Sequence, residues 1–228
     1  MHLGHYFSVI KPGQDGCDVL VANYHAPQEQ EIPDLKRYGV KNIKLQKDCF
    51  NAEVYFRLLM IAKIGDLNRM TQYKSADEED RTAQLLTYPV LMAHDIMGYK
   101  EVLVGLDQEQ HLQYGRKLLN KYNKVYETEY SIPVANIVVG RIKDLRDSTK
   151  KMSKSSPQGC LFLDDTADDI RQKIRKAVAD EEGLNNLKFL YEEFVKETPP
   201  ESNQKLKENL SEAIINTLEK NHALDSEM

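Results

Sequence analysis

The chain has 228 residues, 41% hydrophobic and 29% charged, enough apolar material for one large domain or a domain with a smaller appendage. A formal net charge of −5 excludes a global basic field, so any contact with nucleic acid must come from a local cluster of Lys and Arg. Cys17, Cys49 and Cys160 lie far apart with no CxxC pair, which argues against a disulfide framework or a zinc site and for reduced thiols in a cytosol-like compartment.

In chain order, the first stretch is "MHLGHYFSVIKPG", where His2, Gly4 and His5 have the spacing of a phosphate-handling turn. It lacks the basic-then-apolar pattern of a secretion signal, and no later apolar run is long enough to cross a bilayer. "CDVLVAN" (17–23) and "KNIKLQ" (41–46) read as buried strands. "NAEVYFRLLMIAKIG" starts at Asn51, a good helix cap, and sets Val54, Leu58 and Ile61 on one face. "EVLVG" (101–105) predicts a third strand, "DQEQHLQYGRKLLNKYN" (107–123) a helix carrying Leu112, Leu118, Leu119 and Tyr122, and "NIVVG" (136–140) a fourth strand. Strands alternating with helices predict an α/β fold, a parallel Rossmann-like sheet flanked by helices. From about Asp164 the pattern turns helical, through "DDTADDIRQKIRKAVAD", "GLNNLKFLYEEFV" and, after a loop at "PPESNQ", "KLKENLSEAIINTLEK". The expected organisation is a Rossmann-like domain over 1–163 and a helical part over 164–228.

The sharpest chemical signal is "KKMSKSSPQG" (150–159). Two lysines three apart, with small hydroxyl side chains around them, suit a loop that gathers round a polyphosphate, because lysine brings a compact charge to a phosphoryl leaving group. A lysine-rich loop also reads as ordinary solvated surface. The order Lys151-Met152-Ser153-Lys154-Ser155 tips the balance. It resembles the KMSKS signature of class I aminoacyl-tRNA synthetases, and "HLGH" at 2–5 resembles their HIGH signature. Within that class, "VANYHA" (21–26), "IGDLNRMTQYK" (64–74), "LLTYPVLMAHDIMGYKEVLVGLDQEQHLQYGRKLLNKYN" (85–123), "RIKDLRDSTKKMSKSS" and "DDIRQKIRKAVAD" resemble the tryptophanyl-tRNA synthetases. A tyrosine-activating relative shares fold and many motifs, but the "VLMAHDI" and "DQEQHL" contexts lie on the tryptophan side.

The resemblance implies ATP with Mg2+, tryptophan and tRNA(Trp) as ligands, a cytoplasmic homodimer with no membrane contact, and no protein-bound metal. It assigns Lys151, Lys154, Lys74 and His5 to catalysis. ATP contacts fall on His2, Gly4, His5, Gly105, Asp107, Arg141, Ile142, Met152 and Ser153. Asp95 matches the aspartate that accepts the indole N–H, with Met92, Ile96, Val102 and Val104 as apolar walls, although periodicity alone reads those four as core. Tyr88, Gln108 and His25 match positions near the amino and carboxylate groups of the amino acid. His94 is expected to be a surface or satisfied histidine, and His111 a structural one. The chain also departs from the family: the strand that precedes HIGH is absent, the segment between "VANYHA" and "NIKLQ" is short by about one helix, and the tail stops before the last helices on the anticodon side. A fragment, a minimal enzyme and a binding protein that has lost turnover are all compatible with that pattern, and activation of tryptophan is expected to survive better than transfer to tRNA.

Overall fold

Capping side chains set several of the element boundaries. The computed structural model describes residues 1–24, 34–138 and 142–225. These form strands β1 (Asp18–Val21), β2 (Asn42–Leu45), β3 (Glu101–Gly105) and β4 (Val134–Val138). The longer helices are α1 (Ala52–Ile61), α2 (Ala83–Asp95), α3 (Glu109–Tyr126), α4 (Ala167–Arg175), α5 (Glu181–Val195) and α6 (Asn203–Asp225). Asn51 caps α1 by accepting the Val54 N–H, and Thr166 with Asp169 forms a reciprocal capping box at α4. Asp180 caps α5 by accepting the Gly183 N–H at 2.7 Å.

The α/β class read from the sequence holds, with the strands paired two by two among the described residues: β1 with β2, and β3 with β4. β3 and β4 are parallel, in register from Glu101 opposite Val134 to Gly105 opposite Val138. Parallel neighbours need a crossover, and α3 supplies it. The fourth strand therefore begins two residues earlier than its apolar run suggests, because its partner's length decides its ends.

The chain divides into two compact units. One comprises Leu20–Ile32 and Lys44–Val139. Its core gathers Leu58 of α1, Val90 and Ala93 of α2, Ile96, and Leu112, Leu118, Leu119 and Tyr122 of α3. Helices α2 and α3 approach closely at Gly115, where an added Cβ would stand 3.3 Å from Ile96 Cδ1 and 3.4 Å from Ala93 Cα. The other unit comprises Met1–Val19, Pro33–Ile43 and Gly140–Met228. There α6 packs on α4 and α5. Ile170 and Ile174 of α4, Leu187 and Leu190 of α5, and Leu206, Leu210 and Ile214 of α6 are all buried.

Candidate active site

In the unit that holds the N-terminus, two sequence motifs are brought together. Residues 1–3 run antiparallel to 161–163: the Leu3 N–H donates to the Leu161 carbonyl at 2.9 Å and the Leu163 N–H to the Met1 carbonyl at 3.1 Å. Leu3, Leu161 and Leu163 are buried, so the pairing is pinned by apolar side chains on both strands. From there the chain turns at once into the helical turn Leu3–His5, followed by a π-helical turn Tyr6–Ile10.

His2 caps that turn. Its Nδ1 accepts the Gly4 N–H at 3.0 Å, and His5 Nδ1 accepts the His2 N–H at 3.4 Å. An imidazole nitrogen that accepts cannot carry the proton, so both neutral rings hold theirs on Nε2. The two rings lie 4.1 Å apart. Burial lowers the His2 pKa to about 4, with His5, Lys154, the N-terminal amine and Lys151 adding positive charge nearby. His5 is lowered first by burial, then by Lys154 and the N-terminal amine, and more weakly by Lys151. The turn thus offers neutral N–H donors close to the two lysines of the KMSKS stretch.

A pH dependence follows. Unfolded, His2 binds its proton near pH 6.5; folded, it refuses it down to about pH 4. Folding stability is expected to rise with pH through that window and to gain nothing further from His2 above it. Urea midpoints across the window check this, with His2→Gln expected to flatten the slope; an unchanged slope would show that His2 titrates normally.

The lysine stretch stands on a short hairpin. Lys143 and Lys151 form an antiparallel bridge, with the Met152 N–H donating to the Ile142 carbonyl at 2.8 Å. Met152 and Ile142 are buried, whereas Lys151, Ser153 and Lys154 are exposed. Met152 and Ile142, both expected to touch ATP, are thus the apolar anchors of the loop, and the charged and hydroxyl groups are its displayed face. Ser153 and Ser155 hydroxyls lie 3.0 Å apart. Arg141 lies outside the described residues.

The second unit holds the residues expected to meet the amino acid. Asp95 ends α2, with its carboxylate gripped on both oxygens. Gln46 Nε2 donates to Oδ2 at 2.6 Å, and His94 Nδ1 lies 3.2 Å from Oδ1. His94 Nε2 accepts the Asn51 N–H at 3.0 Å, so the proton of the neutral ring is on Nδ1 and points at Asp95. Gln46 is fully buried and accepts the Tyr24 N–H at 2.9 Å. Each Asp95 oxygen keeps one lone pair, capacity for one further donor such as an indole N–H. Met92, Val102 and Val104 pack against the core of this unit, and Ile96 belongs to it.

A second polar set surrounds Gln108. Tyr88 Oη donates to Gln108 Oε1 at 3.0 Å, and Gln108 Nε2 donates to Asp107 Oδ2 at 2.9 Å. His111, buried, reaches Gln108 Oε1 at 3.3 Å, and burial lowers its pKa. Gly105 closes β3, where an added Cβ would stand 2.6 Å from Asp107 Oδ1. Lys74 is exposed on the helical turn Thr71–Ser75. His25 lies outside the described residues. Sequence reasoning passed over Gln46 and the bond from His94 to Asp95, and no local signal marks Gln46, whose partner lies 49 residues away.

The sequence model of the tRNA synthetases class I (W and Y) matches residues 19–225. The chain is 32% identical to the tryptophan–tRNA ligase of Clostridium tetani, a match covering 80% of this chain and 63% of that protein. It is 36% identical to that of Mycoplasma pneumoniae, covering 82% of this chain and 64% of that protein. The chain therefore spans less than two thirds of these relatives' length. Among solved structures, it resembles the tryptophanyl-tRNA synthetase of Mycoplasma pneumoniae with a TM-score of 0.77 at 28% identity, covering 100% of this chain and 84% of that one. In fold alone it resembles the tyrosyl-tRNA synthetase of Archaeoglobus fulgidus, solved with L-tyrosine, with a TM-score of 0.76 at 18% identity, covering 98% of this chain and 86% of that one.

Proposed function

We propose, because this chain belongs to the tRNA synthetases class I (W and Y), that it activates tryptophan with ATP and passes the activated acyl group to tRNA(Trp). The observation that supports this most is that the His2–His5 turn lies near enough to Lys151 and Lys154 for the lysine charges to help keep both rings neutral, although the two short motifs are about 150 residues apart in sequence. In activation, a tryptophan carboxylate oxygen bonds to the α-phosphorus while the bond to the β-phosphate oxygen breaks and pyrophosphate leaves. No protein nucleophile is needed; the work is positioning and neutralisation of charge. Lys151 and Lys154 meet the negative charge that grows on the leaving group, while the His2 and His5 Nε2–H groups donate to phosphate oxygens.

Magnesium travels with the nucleotide in this scheme. The groups displayed around the motifs are cations, N–H donors and hydroxyls, which suit phosphate oxygens rather than a metal ion. Gly4, Met152, Ser153 and Ile142 shape the nucleotide side, as do Gly105 and Asp107 in their own unit. Asp95 takes the indole N–H, and Tyr88 and Gln108 take the amino acid's polar groups.

The helices from Ala167 to Asp225 face tRNA in this reading. A homodimer is supported by exposed apolar side chains: Phe56 and Met60, one turn apart on α1, are 63% and 79% exposed, and Ile64, beyond the extended residues Ala62 and Lys63, is 68% exposed. A cytoplasmic setting suits the three free cysteines.

Exchange of pyrophosphate into ATP tests the reading directly. Exchange is expected with tryptophan, not with tyrosine or without amino acid, and Lys154→Ala is expected to lower it on the order of 100-fold. No tryptophan-dependent exchange from a folded, monodisperse chain overturns activation and leaves a binding protein.

A further inference from the structure

The hairpin under the lysine loop has an edge that no strand covers among the described residues. In the bridge between Lys143 and Lys151 the bonds are made by their neighbours: the Asp144 N–H donates to the Lys150 carbonyl at 2.9 Å, and the Met152 N–H to the Ile142 carbonyl at 2.8 Å. In a pair of this type the N–H and C=O of the bridged residues themselves point away from each other. Those of Lys143 face outward, where a third strand would lie.

A side chain lies there instead. Asn186 of α5, 8% exposed, accepts the Lys143 N–H on Oδ1 at 2.9 Å and sets its Nδ2 3.4 Å from the Lys143 carbonyl. A carboxamide carries a donor and an acceptor side by side, as a peptide group does, so one asparagine closes both ends of the open position. The same helix holds the loop at a second point, since the Ser148 hydroxyl, 4% exposed, donates to Asp180 Oδ2 at 2.8 Å. Glu182 also reaches Lys143 Nζ at 2.9 Å, but with 61% of its side chain exposed that pair contributes little.

We infer that Asn186 is a positioning residue for the lysine loop. By clamping the Lys143 main chain it fixes the hairpin on which Lys151 stands and from which Lys154 is displayed. The kinetic consequence rests on the activation reading above; the structural one does not.

The test uses the full chain with Asn186→Ala, Asn186→Asp and Glu182→Ala, read in two ways. Hydrogen exchange of the Asp144 and Met152 amides is expected to quicken about tenfold in Asn186→Ala, the effect of one lost net hydrogen bond, less in Asn186→Asp, which keeps the acceptor, and not at all in Glu182→Ala. Pyrophosphate exchange is expected to lose about tenfold in kcat/KM for ATP, while tryptophan binding stays within about twofold of wild type. That binding can be followed by the ligand's own indole fluorescence, because the chain contains no tryptophan.

Unchanged amide exchange in folded Asn186→Ala overturns the inference. So does loss of protection throughout the chain in both Asn186 variants, or an equal loss in both substrates, since either marks a merely structural residue. If only Asn186→Ala fails to fold, Asn186→Asp decides by the same amides. A wild-type chain without pyrophosphate exchange sinks the activation reading alone, and the amide comparison still decides the role of Asn186.

Discussion

Asp95→Asn is expected to lower kcat/KM for tryptophan by about 10³ while KM for ATP stays within about twofold. The substitution keeps shape and volume but changes what the two terminal atoms can do. Gln46 Nε2 and His94 Nδ1 both donate to the carboxylate, which can accept on both oxygens. An asparagine accepts on one atom only, so its amide N–H group faces a donor whichever way it is turned. The oxygen that remains accepts the second donor on one lone pair and no longer carries charge, and the atom that has become an N–H group can no longer accept the indole N–H. A hydrogen bond to a charged group is worth about 1.5–3 kcal/mol, and an indole N–H buried without a partner costs about 1–3 kcal/mol more, which together make up the three decades. Steady-state pyrophosphate exchange at varied tryptophan and varied ATP measures the split. A fall of less than tenfold for tryptophan, or an equal loss for both substrates, would remove Asp95 from the recognition of the amino acid.

The contrast between Asp95 and its partners shows what a sequence discloses. Motifs whose chemistry is contained in a few consecutive residues were legible: "HLGH", "KMSKS", the Asn51 cap and the acidic start of α4 each state their own geometry. β3 was read at the bounds it has, since an apolar run ending in glycine is self-delimiting. Gln46 was not legible. Its burial depends on Asp95, 49 residues further on, and a lone glutamine after a strand otherwise reads as surface. Asn186 is hidden for a similar reason, since "LNNL" on a helix gives no hint that one asparagine replaces a strand. The apolar residues expected at the substrates divide by local packing: Met152 and Ile142 are buried anchors, whereas Val102 and Val104 are half-buried against the core of their unit. The periodicity that identifies apolar positions does not say which of their atoms are left for a ligand.

Gly159→Ala is expected to destabilise the chain by about 3 kcal/mol or more, the upper end of what overpacking a filled site costs. The space that a Cβ would need there is already taken by the Asp144 carboxylate. Asp144 cannot simply rotate away. It is 2% exposed, and its Oδ1 accepts the Arg146 N–H at 2.7 Å and the Asp147 N–H at 3.2 Å, bonds that form the turn leading into the lysine stretch. Nor can the glycine retreat, because its carbonyl accepts the Leu145 N–H at 2.9 Å and the next residue, Cys160, is fully buried. The glycine is therefore required by space. A double-mutant cycle separates this account from a general intolerance of the segment. Asp144→Ala alone loses the turn's hydrogen bonds and costs about 1–3 kcal/mol. Once the carboxylate is gone, adding Gly159→Ala should cost less than about 1 kcal/mol, so the two changes are strongly non-additive in urea unfolding. Additive losses would show that the clash with Asp144 is not what excludes a side chain at 159. If the coupling is found, the carboxylate and the glycine form one device: the turn bonded by Asp144 aims the hairpin at Lys151, and the bare backbone at 159 is what lets that carboxylate stay in place.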